Sequence, residues 1–342
     1  MSTALLVMKK VTILCFDYAF SSVITGVLDL FSLAGVTWNR IHHEQPQALF
    51  ESRLVSQKGA SIRCLNDLVI QPDCALDEVK ATDIIFIPPI GGNIDKTIAH
   101  QIEAIEWLRA MHDNGSQIVS SCTGTFLLAE TGLLDGKEAT THWGYAEQFK
   151  QRYPTIQLKP EQLITNEISL LCAAGGSAWL DLSLLLIEQH FGHDIAVQTA
   201  KALVIERKQQ TQTPYFTNHG QKYHKDSDIL SAQLWLENHF SEKINIDVLG
   251  ADYGMSSRTF KRRFKQATGD TPLSYLQSLR IEMAKKLLES GRLSVELITQ
   301  HVGYSDSSSF MKLFKRETGI SPQAYRQAFS HTRYGNSRTK SS

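Results

Sequence analysis

The chain has 342 residues, 42% of them hydrophobic, which is too long for one typical domain and enough for two or three domains with substantial cores. Its formal net charge is zero, but residues 1–227 hold 18 Lys and Arg against 24 Asp and Glu, whereas residues 228–342 hold 17 against 11. The basic second half has the charge that attraction to phosphates would require, and the acidic first half is not expected to touch nucleic acid.

Hydropathy and cysteine content predict a cytoplasmic protein. No apolar run approaches the ~20 residues needed to cross a bilayer, and the short apolar N-terminus precedes Lys9 and Lys10, the reverse of the order in a secretory signal. The five cysteines are odd in number and lack paired metal spacing, which is typical of free thiols in a reducing compartment. We therefore expect no membrane contact, no metal and no cofactor.

Residues 1–205 alternate short apolar strands with helices, which predicts βαβ units and a mainly parallel sheet covered on both faces, an α/β sandwich of the flavodoxin-like type. The predicted strands are residues 11–16, 36–41, 84–87 and 117–121, and the predicted helices are residues 23–34, 95–112 with Asp95 as cap, 123–131, 145–153, 180–191 and 194–205. Ligands bind at the carboxyl ends of strands in such sheets, where Gly91, Gly92 and Cys122 are expected.

Residues 120–125, Ser-Ser-Cys-Thr-Gly-Thr, predict a strand, a sharp turn and a helix with a nucleophilic residue at the bend. This is the pattern of a nucleophile elbow with Cys122 in place of serine. The helix that follows would direct its amides and dipole at the thiol and favour the thiolate. His142 follows 20 residues later, and Gly91 and Gly92 would offer backbone N–H groups to an anion. A thiol, an imidazole and amide donors are therefore expected in one pocket.

Three further segments complete the chain. Residues 206–227 are rich in Gln, Thr, His, Lys and Tyr and almost lack aliphatic side chains, which predicts a linker. Residues 228–329 predict an all-helical domain, and residues 330–342 predict a disordered tail.

The helical domain contains the same small unit twice, with matching positions 50 residues apart. In each copy two phenylalanines spaced i, i+4 are expected on a buried face, Phe260 with Phe264 and Phe310 with Phe314. A short helix and a glycine-containing turn precede each pair, which predicts two helix-turn-helix modules. Between them, residues 272–289 predict an amphipathic helix about 27 Å long, which would place the two recognition helices about one turn of duplex DNA apart.

Three motifs carry a resemblance in this half of the chain. They are GMSSR at residues 254–258, the F-K-x-x-T-G runs that begin at Phe264 and Phe314, and GYSD at residues 303–306 with SPQAYR at residues 321–326. Residues 228–329 thereby resemble the DNA-binding domain of the AraC/XylS family of bacterial transcription regulators. The resemblance implies promoter DNA as a partner and allows RNA polymerase as another.

The outward faces of the two recognition helices supply the predicted DNA contacts. We expect Arg258 and Arg262 to contact base edges, with Lys261 able to contact a base or a phosphate. Ser308 and Lys312 occupy the corresponding positions in the second module, a set that predicts more affinity than specificity. The remaining predicted phosphate contacts are Lys265 and Lys315.

A second resemblance covers residues 11 to about 205. It is carried by Gly91-Gly92 after an apolar strand, the Cys122 elbow, the run LLAETGLLDG at residues 127–136, and TTHW at residues 140–143. These residues resemble the DJ-1/PfpI superfamily, relatives of class I glutamine amidotransferases. A domain of this type ahead of an AraC-type domain is similar to the GlxA-like regulators, which implies a homodimer that senses a small nitrogen-containing metabolite and activates genes.

Departures from the superfamily pattern argue against catalysis. Thr123 stands where PfpI proteases have a histidine, and Val23 stands where DJ-1 has a carboxylate bonded to its thiol. We expect no catalytic residues, with Cys122 and His142 as vestiges, and a ligand pocket formed by the residues Gly91, Gly92, Cys122, Thr123, His142 and Trp143. Two alternatives stay open: a cysteine-dependent amidase, protease or glyoxalase-like enzyme, and a domain that is only structural or dimerising.

Overall fold

The computed structural model describes residues 7–206, 211–216 and 224–330. The chain divides into two compact units between Gln212 and Thr213. Part of the predicted linker, and all of the predicted tail after Ser330, lie outside the described residues. None of the helices within the described ranges combines the length and apolarity needed to cross a membrane.

The first unit is an α/β domain. Its strands are β1 (Lys9–Cys15), β2 (Phe50–Ser56), β3 (Ile62–Arg63), β4 (Val69–Ile70), β5 (Cys74–Ala75), β6 (Ile84–Ile87), β7 (Gln117–Ser121), β8 (Glu138–Ala139), β9 (Gln157–Leu158), β10 (Ile164–Glu167) and β11 (Leu170–Ala173). Its α-helices are α1 (Ser21–Leu33), α2 (Thr37–Ile41), α3 (Ile94–Ala99), α4 (Ile102–Asp113), α5 (Gly124–Glu130), α6 (Ala146–Arg152), α7 (Trp179–Phe191) and α8 (His193–Ala202).

Seven strands form one sheet in the order β10-β11-β7-β6-β1-β2-β5. Neighbours in this sheet are parallel, except that β10 runs antiparallel to β11. All four residues of β6 are buried, as expected of a strand covered on both faces. Helices α1 and α7 pack together against β1, β2 and β11, while α4 and α5 pack together against β7. The predicted mainly parallel α/β sheet is confirmed.

Two predicted elements of this unit are wrong. Residues 36–41 form the helix α2 rather than a strand, because no residue of this segment is buried and Trp38 stacks on His42 at helical i, i+4 spacing. The predicted helix 95–112 is two helices, α3 and α4, separated at His100 and Gln101. Its cap is Asn93, whose side chain accepts the Lys96 N–H, rather than Asp95.

The second unit is helical, as predicted. Over its described residues it contains a single-turn helix at Thr213–Tyr215 and the helices α9 (Ser227–His239), α10 (Ile246–Asp252), α11 (Ser257–Thr268), α12 (Pro272–Ser290), α13 (Val295–His301), α14 (Ser307–Thr318) and α15 (Pro322–Phe329). The helices α10 to α15 all begin at a capping side chain that accepts a backbone N–H, as helix termini require: Asn245, Ser256, Thr271, Ser294, Asp306 and Ser321.

The duplication in the sequence is reproduced in the contacts. Phe260 and Phe264 are completely buried in one core, and Phe310 and Phe314 are completely buried in another. The Tyr275 hydroxyl donates to Glu237 at 2.8 Å in the first copy, and its counterpart in the second copy donates to Glu289 at 2.9 Å. The 19-residue helix α12 contributes side chains to both cores, so it is the rod that joins two helix-turn-helix modules.

Arg280, in the middle of α12, holds the two modules together. Its guanidinium donates to the Phe240 and Glu242 carbonyl oxygens at 2.7 Å each, and it lies 4.9 Å from the centre of the Tyr304 ring. Gly303, in the turn of the second module, packs so closely that a Cβ there would lie 2.6 Å from the Ser241 carbonyl oxygen. These contacts limit relative motion of the two recognition helices, α11 and α14.

Candidate nucleic-acid interface and candidate ligand site

Helix α11 presents a row of cations to solvent. Its buried side is formed by Phe260 and Phe264, which places the residues between and beyond them on the opposite side. The side chains on that side are exposed and comprise Arg258, Lys261, Arg262 and Lys265. All four are predicted DNA contacts, and the structure brings them together on one face.

Lys261 differs from the two arginines on this face. Its ammonium group lies 2.8 Å from Asp247 on α10, and this hydrogen bond holds the pKa of the Asp247 carboxyl below its usual value. Within the described residues, no ion pair holds Arg258 or Arg262. The two guanidinium groups therefore remain available for bidentate bonds to guanine, whereas Lys261 must leave Asp247 to reach DNA.

Arg263 follows these cations in sequence but has a different function. Its guanidinium bonds Asp226 at 2.6 and 2.9 Å and Asp228 at 3.0 Å, and so ties α11 to α9. Sequence analysis did not assign it a role. The sequence feature that could have revealed this role is the position of Arg263 three residues after Phe260, at the edge of the buried face.

Helix α14 presents a less charged face. Ser308, Lys312 and Lys315 are exposed, as predicted, and Asp306 caps the helix by accepting the Ser308 and Ser309 N–H groups. Met311, which sequence analysis did not consider, is 39% exposed on the same face. The two recognition helices thus carry the same buried face but different outward chemistry.

Cys122 occupies a sharp turn between β7 and α5. Its φ of +57° is in the left-handed region that side chains other than glycine rarely adopt, as a nucleophile elbow requires. Gly124 makes the turn possible, because a Cβ there would lie 2.5 Å from the Pro88 carbonyl oxygen. The carbonyl oxygen of Cys122 accepts the Thr141 hydroxyl at 2.8 Å, which brings Cys122 and His142 into the same neighbourhood.

The expected thiolate is not supported. Cys122 is 6% exposed, and burial raises the pKa of its thiol despite hydrogen bonds from Thr123 that act in the opposite direction. The prediction from the helix dipole was wrong because desolvation of the charged form outweighs the amide donors.

His142 is not arranged as a base for this thiol. Its Nδ1 accepts the Gly144 N–H at 3.1 Å, and its ring stacks on Trp143. Partial burial lowers its pKa. Among the described residues no hydrogen bond joins the Cys122 thiol to the His142 imidazole. Nucleophilic catalysis needs such a contact, so the pair lacks the geometry of an activated nucleophile.

Gly91 and Thr123 hold the turn together. The Gly91 N–H donates to the Tyr18 carbonyl oxygen at 2.8 Å, so it is not available to an anion, contrary to prediction. The Thr123 hydroxyl donates to the Ile90 carbonyl oxygen at 2.8 Å. Gly92 packs next to Tyr18, where a Cβ would lie 3.0 Å from the tyrosine side chain. These residues form one connected cluster with Cys122.

Gln212 is a buried polar side chain that sequence analysis missed. It is 2% exposed, and its amide nitrogen donates to the Thr141 and Pro160 carbonyl oxygens at 2.8 and 2.7 Å. Its amide oxygen accepts the Trp143 N–H at 3.3 Å. The last residue of the first unit therefore closes one side of the His142 and Trp143 cluster. The bonding partners of the Gln212 side chain lie 52 to 71 residues away in sequence, so no local pattern could reveal it.

Comparison with known proteins agrees with both halves of this description. Residues 9–189 match the model of the DJ-1/PfpI family, and residues 249–328 match that of a helix-turn-helix domain. An α/β unit with an elbow cysteine followed by a double helix-turn-helix unit defines a class of two-domain DNA-binding proteins. The chain belongs to the DJ-1/PfpI family, in the branch that carries an AraC-type helix-turn-helix domain.

Similar proteins share this organisation. The HTH-type transcriptional regulator CdhR of Pseudomonas aeruginosa is 28% identical over 288 residues, which cover 83% of this chain and 82% of CdhR. GbdR, an HTH-type transcriptional regulator of the same species, is 25% identical over 284 residues, 82% of this chain and 75% of GbdR. A solved THiJ/PfpI family protein from Pseudomonas syringae has a TM-score of 0.50 at 16% identity and covers 68% of this chain and 88% of its own, which supports the fold alone.

Proposed function

We infer that this protein is a sequence-specific DNA-binding transcription regulator that responds to a small molecule bound in its first unit. The observation that carries this function is the pair of recognition helices α11 and α14. Each has an exposed cationic face over an identical phenylalanine core, and α12 and Arg280 hold the pair in one arrangement. The relatives CdhR and GbdR, similar over most of their length, are named transcriptional regulators.

Selection of bound duplexes from a random-sequence library by the full-length protein tests DNA recognition. Arg262→Ala should erase the preference for guanine at one position, because one bidentate contact supplies about 1–3 kcal/mol of discrimination. Lys286→Ala removes an exposed cation from α12 and should leave the preference unchanged. An unaltered preference in Arg262→Ala would remove α11 from the recognition surface.

The effector is a small nitrogen-containing metabolite held near Cys122 and His142. The support is chemical: burial raises the pKa of the Cys122 thiol, and the His142 ring lies 5.3 Å from the Trp143 ring and 5.9 Å from the Tyr145 ring, an aromatic surface suited to a cation. Amino acids, betaines and polyamines should be screened by thermal shift, since a ligand that binds only the native state raises its melting temperature. A true effector should lose its shift in Trp143→Ala.

The regulator acts as a homodimer in the cytoplasm and activates transcription through contact with RNA polymerase. The pseudo-repeat within one chain already supplies two recognition helices, so a dimer would contact four successive segments of DNA. Sedimentation of the full chain, alone and on its selected duplex, tests the stoichiometry. Transcription reconstituted with purified polymerase tests the direction of regulation.

The elbow conformation of Cys122 favours one alternative, a cysteine-dependent amidase, protease or glyoxalase-like activity. The raised pKa of the thiol and the orientation of His142 both oppose it. Turnover of amides or α-oxoaldehydes that Cys122→Ala abolishes would establish this alternative.

A further inference from the structure

The two recognition helices differ at one outward position in a way that changes what DNA group they can contact. Matching positions are 50 residues apart, so Lys261 in α11 corresponds to Met311 in α14. Both follow the first buried phenylalanine of their helix, and both are exposed. Replacing a cation by a thioether removes a phosphate or base hydrogen-bond donor and substitutes an apolar group.

The environment of this position changes together with the residue. In the first module Asp247 on α10 pairs with Lys261 at 2.8 Å. The turn of the second module is one residue longer, so positions before it match at 49 residues apart and Asp247 corresponds to Glu296. Glu296 is hydrogen-bonded to Ser294 and its own backbone N–H at the start of α13. The Met311 side chain is 39% exposed and lies on its helix between Ser308 one turn before it and Lys315 one turn after it.

An exposed methionine is unremarkable on an arbitrary surface, but this one lies on the face that enters the major groove. The base edges there carry hydrogen-bond donors and acceptors, and a single apolar group, the C5 methyl of thymine. Methionine is unbranched, with three rotatable side-chain bonds, so it can adjust to contact such a methyl group.

We propose that Met311 is a specificity-determining residue that recognises a thymine C5 methyl group in the half-site bound by α14. The operator is then asymmetric: guanines are recognised by Arg258 and Arg262 of α11, and an A·T pair is recognised by α14. This inference rests on the proposed function, and it adds base specificity to a module for which the sequence predicted mainly affinity.

Uracil substitution isolates the methyl group, because uracil lacks the C5 methyl of thymine and keeps its hydrogen-bonding edge. The probe is a duplex recovered by the full-length protein from a random-sequence library, with each thymine replaced singly by uracil. For the wild-type protein, one replacement should weaken binding about fourfold, the effect of removing one buried methyl group. Met311→Ala should bind the thymine and uracil duplexes equally, and Met311→Leu should retain part of the difference.

Arg262→Ala serves as the matched control. It should bind more weakly and lose guanine preference, yet keep the uracil penalty, because the two contacts lie in different half-sites. A uracil penalty that persists in Met311→Ala, or the absence of any penalty in the wild type, would overturn the inference while leaving sequence-specific binding intact. Failure of the wild type to select any sequence would instead overturn the proposed function. Thermal melting of Met311→Ala like that of the wild type excludes misfolding as the cause.

Discussion

Cys122 illustrates how burial can reverse the chemistry that a motif suggests. The elbow conformation and helix α5 follow the pattern of a reactive thiol, but desolvation raises its pKa above the ordinary value. The folded state therefore holds the thiol proton more tightly than the unfolded state. The stability from this difference is complete below the ordinary thiol pKa and is lost as pH rises through the folded-state value.

The first prediction is that Cys122 is slow to react at neutral pH. Iodoacetamide at pH 7.5 should modify it at least about tenfold more slowly than an unhindered thiol, since only the thiolate is nucleophilic. The rate should still be rising at pH values where the rate of an unhindered thiol has levelled off, because the pKa of Cys122 is raised. Partly exposed Cys74 provides an internal comparison in the same peptide map. Complete modification of Cys122 within minutes at pH 7.5 would show that a thiolate is present.

Arg262 and Arg263 are adjacent in sequence and opposite in role, which gives the second prediction. Arg263→Ala should lower the melting temperature of the second unit, because Asp226 and Asp228 lose their shared partner, and it should leave base preference unchanged. Arg262→Ala should leave the melting temperature unchanged and alter the base preference. Melting curves and duplex selection on both variants separate the two roles. Equal loss of base preference would mean that Arg263 also contacts DNA.

At the scale of elements, the turns of the two modules have a similar backbone conformation at their glycine, but the packing around that glycine differs. Gly254 and Gly303 both have positive φ, +67° and +81°. A Cβ on Gly254 would meet nothing within 4 Å, whereas one on Gly303 would lie 2.6 Å from the Ser241 carbonyl oxygen and 2.9 Å from Arg280 Nη2. The second glycine is needed for contact between modules as well as for the turn.

This pair gives the third prediction. Gly254→Ala should cost about 1–2 kcal/mol of unfolding free energy, from backbone strain alone. Gly303→Ala should cost about 1–3 kcal/mol more, because overpacking against Ser241 and Arg280 adds to the same strain. It should also weaken binding to a duplex that needs both recognition helices. Urea denaturation measures the unfolding free energy, and titration with the duplex measures the binding affinity. If the two substitutions cost the same unfolding free energy, the two modules can move apart at Gly303 without further loss of stability.

The features that were predicted correctly from the sequence depend on residues that lie close together in the chain. The caps Asn245, Ser256 and Ser294 follow a sequence pattern that can be recognised, because a cap is a contact within three residues. The repeated phenylalanine pairs were equally local, and their burial is confirmed. By contrast, the strand predicted at residues 36–41 failed because its alternation does not correspond to a buried side, and hydrophobic period alone cannot show burial.

In the candidate sites too, features set by nearby residues were predicted, and contacts between residues far apart in sequence were not. The outward cations of α11 were predicted from helical spacing, since the phenylalanines define the opposite face. The partners of Lys261 and Arg263 were not, because an ion pair between helices depends on how those helices pack. The Cys122 elbow was predicted from six consecutive residues. The hydrogen bond from the Gly91 N–H to the Tyr18 carbonyl oxygen joins residues that are 73 positions apart in sequence.

At the scale of the whole molecule, each unit holds the residues on its own side of the boundary at Gln212 and Thr213. Thr211 and Gln212 bond Glu161 in the first unit, and Gln212 also bonds the Thr141 to Trp143 segment. Within the second unit, the Phe216 carbonyl oxygen accepts the buried Lys285 ammonium at 2.6 Å. Coupling between the candidate ligand site and the DNA-binding unit requires two states that differ in ligand affinity.

Gln212→Ala is the fourth prediction. Removing the amide leaves the Thr141 and Pro160 carbonyl oxygens without this donor, which should cost the first unit about 1–3 kcal/mol. Hydrogen exchange should accelerate at the Trp143 amide, whose acceptor is lost, and stay unchanged in α11 and α14. Gln157→Ala serves as control, because it removes an exposed glutamine whose side-chain amide donates to the Gly136 carbonyl oxygen at 2.9 Å. If Gln212 transmits the ligand signal, Gln212→Ala should retain the effector-induced thermal shift and lose the effector-induced change in transcription. Retention of both responses would show that the signal takes another route.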